Sequence, residues 1–126
     1  MNPYKRRVSE IREKHGIQVT MSIIEGTFTR PQMYTIGGTV FEVGAFLEGY
    51  ISGLAHDPKH QYPIISIWSD FNIYLSNQIE DGNGGWYGAF SGVRRLFASE
   101  EESFDYLLDK YYEFYNALPN EAKNSQ

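Results

Sequence analysis

The amino-acid sequence predicts an α+β fold, a single domain in which three helices pack on an antiparallel or mixed β-sheet of about four to five strands. Three observations predict this fold. Helix-spaced apolar positions with capping residues occur near the start, in the middle and at the end of the chain. Segments rich in β-branched and aromatic residues lie between them. A run of glycine and asparagine at residues 80–85 is typical of a hairpin turn.

The first predicted helix begins after Asn2, a capping residue, with Pro3 at its first position, and it ends at Gly16. Residues 17–24 then alternate apolar and polar side chains, which predicts a half-buried strand. Residues 27–30 and 33–36 are predicted as two short strands interrupted by a proline, with an ordered loop as the alternative.

The second predicted helix covers residues 39–56, where apolar side chains recur at every third or fourth position before Asp57 and Pro58. A second face of this helix consists of small and polar residues, namely Glu42, Ala45, Gly49, Ser52, Gly53 and His56. With Gly44, the helix contains three glycines that need an explanation. Glycine destabilises a helix by about 1 kcal/mol per position. We therefore expect either the close approach of another part of the backbone or the floor of a ligand cleft, and the first explanation is favoured.

Residues 62–78 are predicted as a central strand, because they are rich in isoleucine and aromatic residues and place apolar side chains on both faces. Ser69 and Asp70 offer a point at which this strand could divide in two. Residues 86–90, after the turn at 80–85, resume the strand pattern and complete the predicted hairpin.

The closing helix is predicted from Ser99 to Pro119, because Ser99 and Glu102 have the spacing of a capping box. Three acids at residues 100–102 suit the positive end of the helix dipole. The predicted core stripe consists of Phe104, Leu107, Leu108, Tyr111, Tyr115 and Leu118.

A column of four acids stands beside that stripe at intervals of four residues. This acidic column consists of Glu101, Asp105, Asp109 and Glu113. Like charges at this spacing oppose the helix by about 0.2–0.5 kcal/mol per pair, and only Lys110 is near enough in sequence to offset them. The column is therefore either a solvated face or a surface that binds a basic partner. Replacing Asp105 and Asp109 by lysine is expected to leave folding intact.

The length of 126 residues and a hydrophobic content of 41% are sufficient for one domain with its own core. We expect this domain to cover residues 1–119 and residues 120–126 to form a frayed tail. The chain has no cysteine, which excludes disulfides and thiolate chemistry. A charged N-terminal segment and the lack of a long apolar run favour a cytoplasmic protein with no membrane span.

The net charge of −5 is unevenly distributed, with +3 on residues 1–16 and −8 on the remainder. An acidic domain argues against direct binding of nucleic acid and in favour of a basic protein partner. A homo-oligomer is also compatible with the sequence.

No catalytic motif is present, so we expect a binding protein and not an enzyme. In size, acidity and aromatic content the chain is similar in kind to bacterial immunity proteins and phage-encoded inhibitors, a compositional likeness from which no residue can be transferred. The first hypothesis is a stoichiometric inhibitor of immunity type that covers a positively charged site on a toxin or nuclease. Its predicted partner-binding residues are Glu101, Asp105, Tyr106, Asp109, Tyr112 and Glu113.

The alternative hypothesis is a protein that binds or sequesters a small molecule or nucleotide. Its predicted ligand-binding residues are Trp68, Trp86, Arg94 and Arg95, since aromatic rings and guanidinium groups together can hold a phosphorylated ligand. An anion pocket requires the two arginines to be free, whereas the inhibitor hypothesis is compatible with their being paired.

Two further patterns are weak, and we predict no metal and no cofactor. His56 and His60 have a spacing seen in metal sites, but a loop containing Pro58 supplies neither a rigid frame nor a third ligand. Gly37 and Gly38 precede a predicted helix, where an anion can bind backbone N–H groups. They lack a P-loop lysine, and a plain turn is favoured.

Overall fold

The computed structural model describes residues 3–17, 22–59, 62–79 and 85–119, with side chains from residue 7 onward. These ranges contain a short 3-10 helix at Pro31–Met33 and six α-helices. The α-helices are α1 (Pro3–His15), α2 (Ile23–Thr29), α3 (Val40–Ala55), α4 (Pro63–Gln78), α5 (Gly85–Leu96) and α6 (Glu100–Asn116).

The prediction of an α+β fold is wrong, because every regular element among the described residues is helical. Of the strand predicted at 17–24, residues 18–21 lie outside the described residues and Ile23 begins α2. Residues 27–29 also belong to α2, and the 3-10 helix overlaps the strand predicted at 33–36 by one residue.

The segment predicted as a central strand is the helix α4. Its apolar side chains at Ile64, Ile67, Trp68, Phe71 and Leu75 are three or four residues apart, and the last four of them are buried on one face. Low helix propensity costs only about 0.7 kcal/mol per residue or less. Burial of one large apolar side chain contributes about 1.5–3 kcal/mol. The helical period of the buried face therefore outweighs the β-propensity of the individual residues.

The predicted hairpin is also absent from the described residues. Residues 80–84 of the predicted turn lie outside them, and residues 86–90 form the first part of α5. Ala89, Phe90 and Val93 are buried at helical spacing. The same tertiary burial that makes α4 a helix therefore accounts for α5.

The three predicted helices are confirmed. The first ends at His15, and Gly16 follows with φ +73°, a left-handed conformation that favours glycine after a helix. Its predicted cap, Asn2, lies outside the described residues. The second begins with a complete capping box between Thr39 and Glu42. The third begins after Ser99, whose side chain accepts a hydrogen bond from the backbone N–H at position 102.

Helix α6 lies at the centre of the fold, because it contacts each of the other five α-helices. The predicted core stripe of this helix is confirmed. Its members Phe104, Leu107, Leu108, Tyr111 and Tyr115 are buried, and Leu118 packs partly against the core.

Aromatic rings from four helices form much of this core. The ring of Phe71 lies 5.3 Å from that of Tyr111 and 5.6 Å from that of Phe114, between centroids. Phe28 from α2 lies 6.1 Å from Phe71 and 6.0 Å from Phe90. Such tilted and edge-to-face pairs are the arrangements that aromatic rings prefer. A large part of the high aromatic content is therefore used for internal packing.

Helices α3, α4 and α5 contact one another on one side of α6 and form the walls of a cleft described below. None of the helices in the described ranges combines the length and the apolar character needed to cross a membrane.

Candidate ligand-binding cleft

The acidic column faces the basic helix α1. The Arg7 guanidinium lies 3.1 Å from an oxygen of Glu101 and 2.8 Å from an oxygen of Asp105. Burial raises the pKa of Asp105 above its ordinary value, and the Glu101 carboxylate raises it further, while Arg7 opposes both effects. The positive charge of the N-terminal segment thus compensates the acidic column within the chain.

The lower part of the column is paired in the same way. Asp109 Oδ1 lies 2.9 Å from Lys14 Nζ and 2.7 Å from His15 Nε2. Burial alone would raise the pKa of Asp109, but the hydrogen bonds from His15 and Lys14 hold it below the ordinary value. Within α6, Lys110 lies 3.0 Å from Glu113. All four acids of the column therefore have a basic partner inside the protein.

The two tyrosines predicted to border a binding surface are engaged in packing. Tyr112 is buried, accepts a hydrogen bond of 3.2 Å from Arg12 Nε and donates one to Glu25. Tyr106 is half-buried, and its ring centroid lies 5.2 Å from that of Phe97. Burial is also the leading cause of the raised pKa values of both phenols.

The fully buried Glu25 is a residue that the sequence analysis does not identify, because it lies just after the strand predicted at residues 17–24. It follows Ser22 at the spacing of a helix cap, and Ser22 Oγ accepts the backbone N–H of Glu25 at 3.4 Å. With Tyr112, this acid links α2 to α6. A capping residue three positions before an acid was the available signal.

The arginines of the alternative hypothesis are engaged elsewhere in the chain. Arg94 Nε lies 2.8 Å from a Glu100 oxygen, and its guanidinium also donates to the Phe97 carbonyl at 3.0 Å. Arg95 donates to the Ser91 hydroxyl at 2.7 Å. Neither arginine lines the cleft that the two tryptophans share.

That cleft, with a volume of about 500 Å³, lies between α3 and α4, and Gly85 and Trp86 at the start of α5 also line it. Its walls combine apolar side chains with hydroxyl, amide and carboxylate groups. The residues that decide its chemistry are Glu48, Ser52, Trp68, Asn72, Ile73 and Trp86.

Two hydrogen bonds connect three of these residues, one between side chains and one to the backbone. Trp68 Nε1 donates to Glu48 Oε2 at 2.7 Å, and Asn72 Nδ2 donates to the Trp68 carbonyl at 2.8 Å. Asn72 is only 6% exposed, and its Oδ1 has no hydrogen-bond partner among the described residues. An unpaired buried acceptor costs about 1–3 kcal/mol.

The ring of Trp86 packs against α3 at Gly44, where the absence of a side chain leaves room for the ring. A β-carbon at Gly44 would lie 2.6 Å from two ring carbons of Trp86 and 2.9 Å from a ring carbon of Phe90. Gly49 and Gly53 have no atom within 4 Å of such a carbon among the described residues. Close approach therefore explains one of the three helix glycines, and the approaching group is an indole ring and not a backbone.

Exposed apolar side chains lie at or beside the rim of the cleft. Ile73 lines it and is 59% exposed, and Tyr87, which neighbours Trp86, is 60% exposed. The ring of Phe41 lies 5.7 Å from that of Tyr87 and is also exposed. The cleft thus has both polar and apolar groups in its lining, and exposed apolar side chains on or next to its lining residues.

The two weaker sequence patterns lie at the end and at the start of α3. His56 Nδ1 lies 2.7 Å from the Ser52 carbonyl, and His60 lies outside the described residues. Among the described residues no group of three His, Cys, Asp or Glu side chains could hold a metal ion.

The start of α3 is occupied by carboxylates of the protein itself. Glu42 accepts the backbone N–H groups of Gly37 at 3.1 Å and of Thr39 at 3.3 Å, and these bonds contribute to its lowered pKa. Glu100 accepts the N–H of Val40 at 3.1 Å. An external anion at this helix end would have to displace both carboxylates.

Glu48 and Asn72 were not among the predicted site residues. Asn72 interrupts the apolar stripe of α4, but this signal appears only when the segment is treated as a helix. Comparison with protein-family models, curated proteins and solved structures finds no match for this chain.

Proposed function

We propose that the protein is a stoichiometric inhibitor of immunity type, which binds a basic partner protein and catalyses no reaction. In this proposal the binding surface is the α3–α4 cleft with its apolar rim, and not the acidic column. The ion pairs of the column with Arg7, Lys14 and His15 support this choice, because they reduce the negative charge that the column offers to a partner.

The observation that carries the proposal is the combination of a cleft of mixed polar and apolar lining with the exposed apolar side chains of Ile73, which lines it, and Tyr87, which neighbours the lining residue Trp86. Protein interfaces are typically anchored in pockets of this kind, with aromatic residues at the anchor and around it. Ile73 and Tyr87 are both more than half exposed, although each could have contributed to a core. A net charge of −5 favours a basic partner.

The proposal is tested by affinity capture with matched variants. The wild-type protein should retain a basic protein at a one-to-one ratio, and Tyr87→Ala should weaken retention about tenfold, the loss expected of an aromatic anchor. Leu96→Ala is the control, because it removes another exposed apolar side chain from the same helix. Equal retention by wild type and Tyr87→Ala, or no retained protein at all, would overturn the proposal.

The acidic column is tested in the same assay. The double variant Glu101→Gln/Glu113→Gln removes the two column charges on exposed residues. We expect it to retain the partner nearly as well as wild type. A greater loss of partner retention with this variant than with Tyr87→Ala would indicate that the acidic column is the binding surface.

A second candidate function is the binding of a free small molecule. One observation favours it, which is that both tryptophans of the chain line the same cleft. The volume of about 500 Å³ is within the usual range for such pockets. A ligand screen by tryptophan fluorescence tests this candidate directly. Phosphorylated ligands are the least expected to bind, because Arg94 pairs with Glu100 and lies outside the cleft.

A further inference from the structure

Among the described residues, the lining of the α3–α4 cleft carries a negative charge and no positive charge. Its one formal charge is the carboxylate of Glu48, and none of the described residues that line it is basic. We propose that the cleft receives a cationic side chain, an arginine or a lysine of the partner protein. This inference rests on the proposed function and specifies which group of the partner enters the site.

The hydrogen-bonding groups in the lining of the cleft suit a ligand that is rich in hydrogen-bond donors. Glu48 Oε2 accepts the indole N–H of Trp68, while Oε1 lies 3.5 Å from the Ser52 hydroxyl, at the limit of a hydrogen bond. A carboxylate can accept about four hydrogen bonds, so Glu48 retains capacity for a ligand. Asn72 Oδ1 adds a buried acceptor without a partner among the described residues. Guanidinium and ammonium groups carry donors and no acceptors, which matches the remaining acceptor capacity of Glu48.

The aromatic walls favour the same class of ligand. Trp68 and Trp86 both line the cleft, and indole is the side chain whose ring face attracts cations most strongly. Trp86 is half-buried, so part of its ring is accessible from solvent. An anion would meet the Glu48 carboxylate and no compensating cation in the described lining.

The surroundings indicate that this cation belongs to a protein. The exposed side chains of Ile73 and Tyr87 beside the cleft would contact the residues that flank an inserted arginine or lysine. A free amine would leave these apolar side chains in water. Charge complementarity between an acidic chain and a basic partner acts in the same direction.

The experiment measures tryptophan fluorescence with excitation at wavelengths that tyrosine does not absorb, since both tryptophans report on the cleft. The probes are the peptide acetyl-Gly-Arg-Gly-amide and the same peptide with citrulline, which has the shape of arginine without its charge. We expect a saturable change with the arginine peptide and about tenfold weaker binding of the citrulline peptide. Equal binding of the two peptides, or no binding of either, would overturn the inference.

Two variants with the same change of charge provide the control. Glu48→Gln keeps an acceptor for Trp68 and should weaken the arginine peptide about tenfold, with no effect on the citrulline peptide. Glu102→Gln removes an exposed carboxylate outside the cleft and should change neither affinity. Equal losses in the two variants would show a general charge effect and overturn the inference.

The source of the cation and the independence of the two proposals are tested separately. Agmatine is a free amine with the same guanidinium group, and if it bound much more tightly than the arginine peptide, the assignment to a protein side chain would be wrong.

Partner capture that is lost in Tyr87→Ala but unchanged in Glu48→Gln would overturn this inference and leave the proposed function standing. Specific binding of the arginine peptide with no captured protein would overturn the proposed function and the assignment to a partner side chain, and would leave only the preference of the cleft for a cation.

Discussion

Arg7 on the first helix and Asp105 on the last are joined by an ion pair, with 2.8 Å between Nε and Oδ2. Lys14 makes an equivalent contact with Asp109 at 2.9 Å, about two helical turns further along α1. Helix α1 thus lies along the acidic column, and Arg7 and Lys14 compensate part of the column's negative charge inside the protein.

The double variant Asp105→Lys/Asp109→Lys should be destabilised, which reverses the expectation from the sequence. Both carboxylates are less than a quarter exposed, and lysines there would face Arg7 and Lys14. We expect a loss of about 2 kcal/mol in the free energy of unfolding, measured by urea denaturation. The control is Glu13→Lys/Asp70→Lys, which makes the same change of charge at exposed positions. Equal stability of the two variants would contradict this arrangement of α1.

Asp109 and Asp105 should give opposite pH dependences. The lowered pKa of Asp109 means that its contribution to stability is present above the unfolded value of about 3.9 and is lost as pH falls through the folded pKa. The raised pKa of Asp105 means that its contribution is present below that value and is lost as pH rises through the folded pKa.

Urea titrations of wild type, Asp109→Asn and Asp105→Asn between about pH 3 and pH 6 measure this difference. The stability advantage of wild type over Asp109→Asn should shrink on acidification. Its advantage over Asp105→Asn should grow on acidification. Slopes of the same sign in the two comparisons would contradict the assigned environments.

Tyr112→Phe should destabilise the protein by about 1–3 kcal/mol, because it removes a hydrogen-bond donor to the buried Glu25 and an acceptor for Arg12. The matched control is Tyr106→Phe, since the hydroxyl of Tyr106 makes no hydrogen bond with the described residues and this variant should change stability little. Thermal and urea unfolding of both variants compare the two losses. A larger effect at Tyr106 would contradict the buried contact between α2 and α6.

Gly44→Ala should destabilise the fold by about 1–3 kcal/mol and shift the tryptophan emission, because the new methyl group collides with the ring of Trp86. Gly49→Ala and Gly53→Ala are matched controls on the same helix with open space around the new methyl group. These two should each stabilise the protein by about 0.5–1 kcal/mol. Stabilisation by Gly44→Ala would contradict the packing of the Trp86 ring against α3.

The sequence by itself determined α1, α3, α6 and the core stripe of α6. These features depend on local information, namely capping residues, glycine after a helix and a strong 3.6-residue period, which act within one or two turns of the chain. Phe104 and Leu108, for example, are buried as their spacing predicts. The acidic column was likewise visible, because residues four apart necessarily share a helix face.

Only the tertiary structure decided that α4 and α5 are helices and which charged side chains pair with one another. Residues 62–78 are strand-like in composition, and the segment is helical because Phe71 and Leu75 are fully buried at helical spacing. The pairing of Arg7 with Asp105 joins residues 98 positions apart, which no local pattern specifies. The cleft has the same origin, since Glu48 and Asn72 lie on different helices and share a surface only after those helices pack.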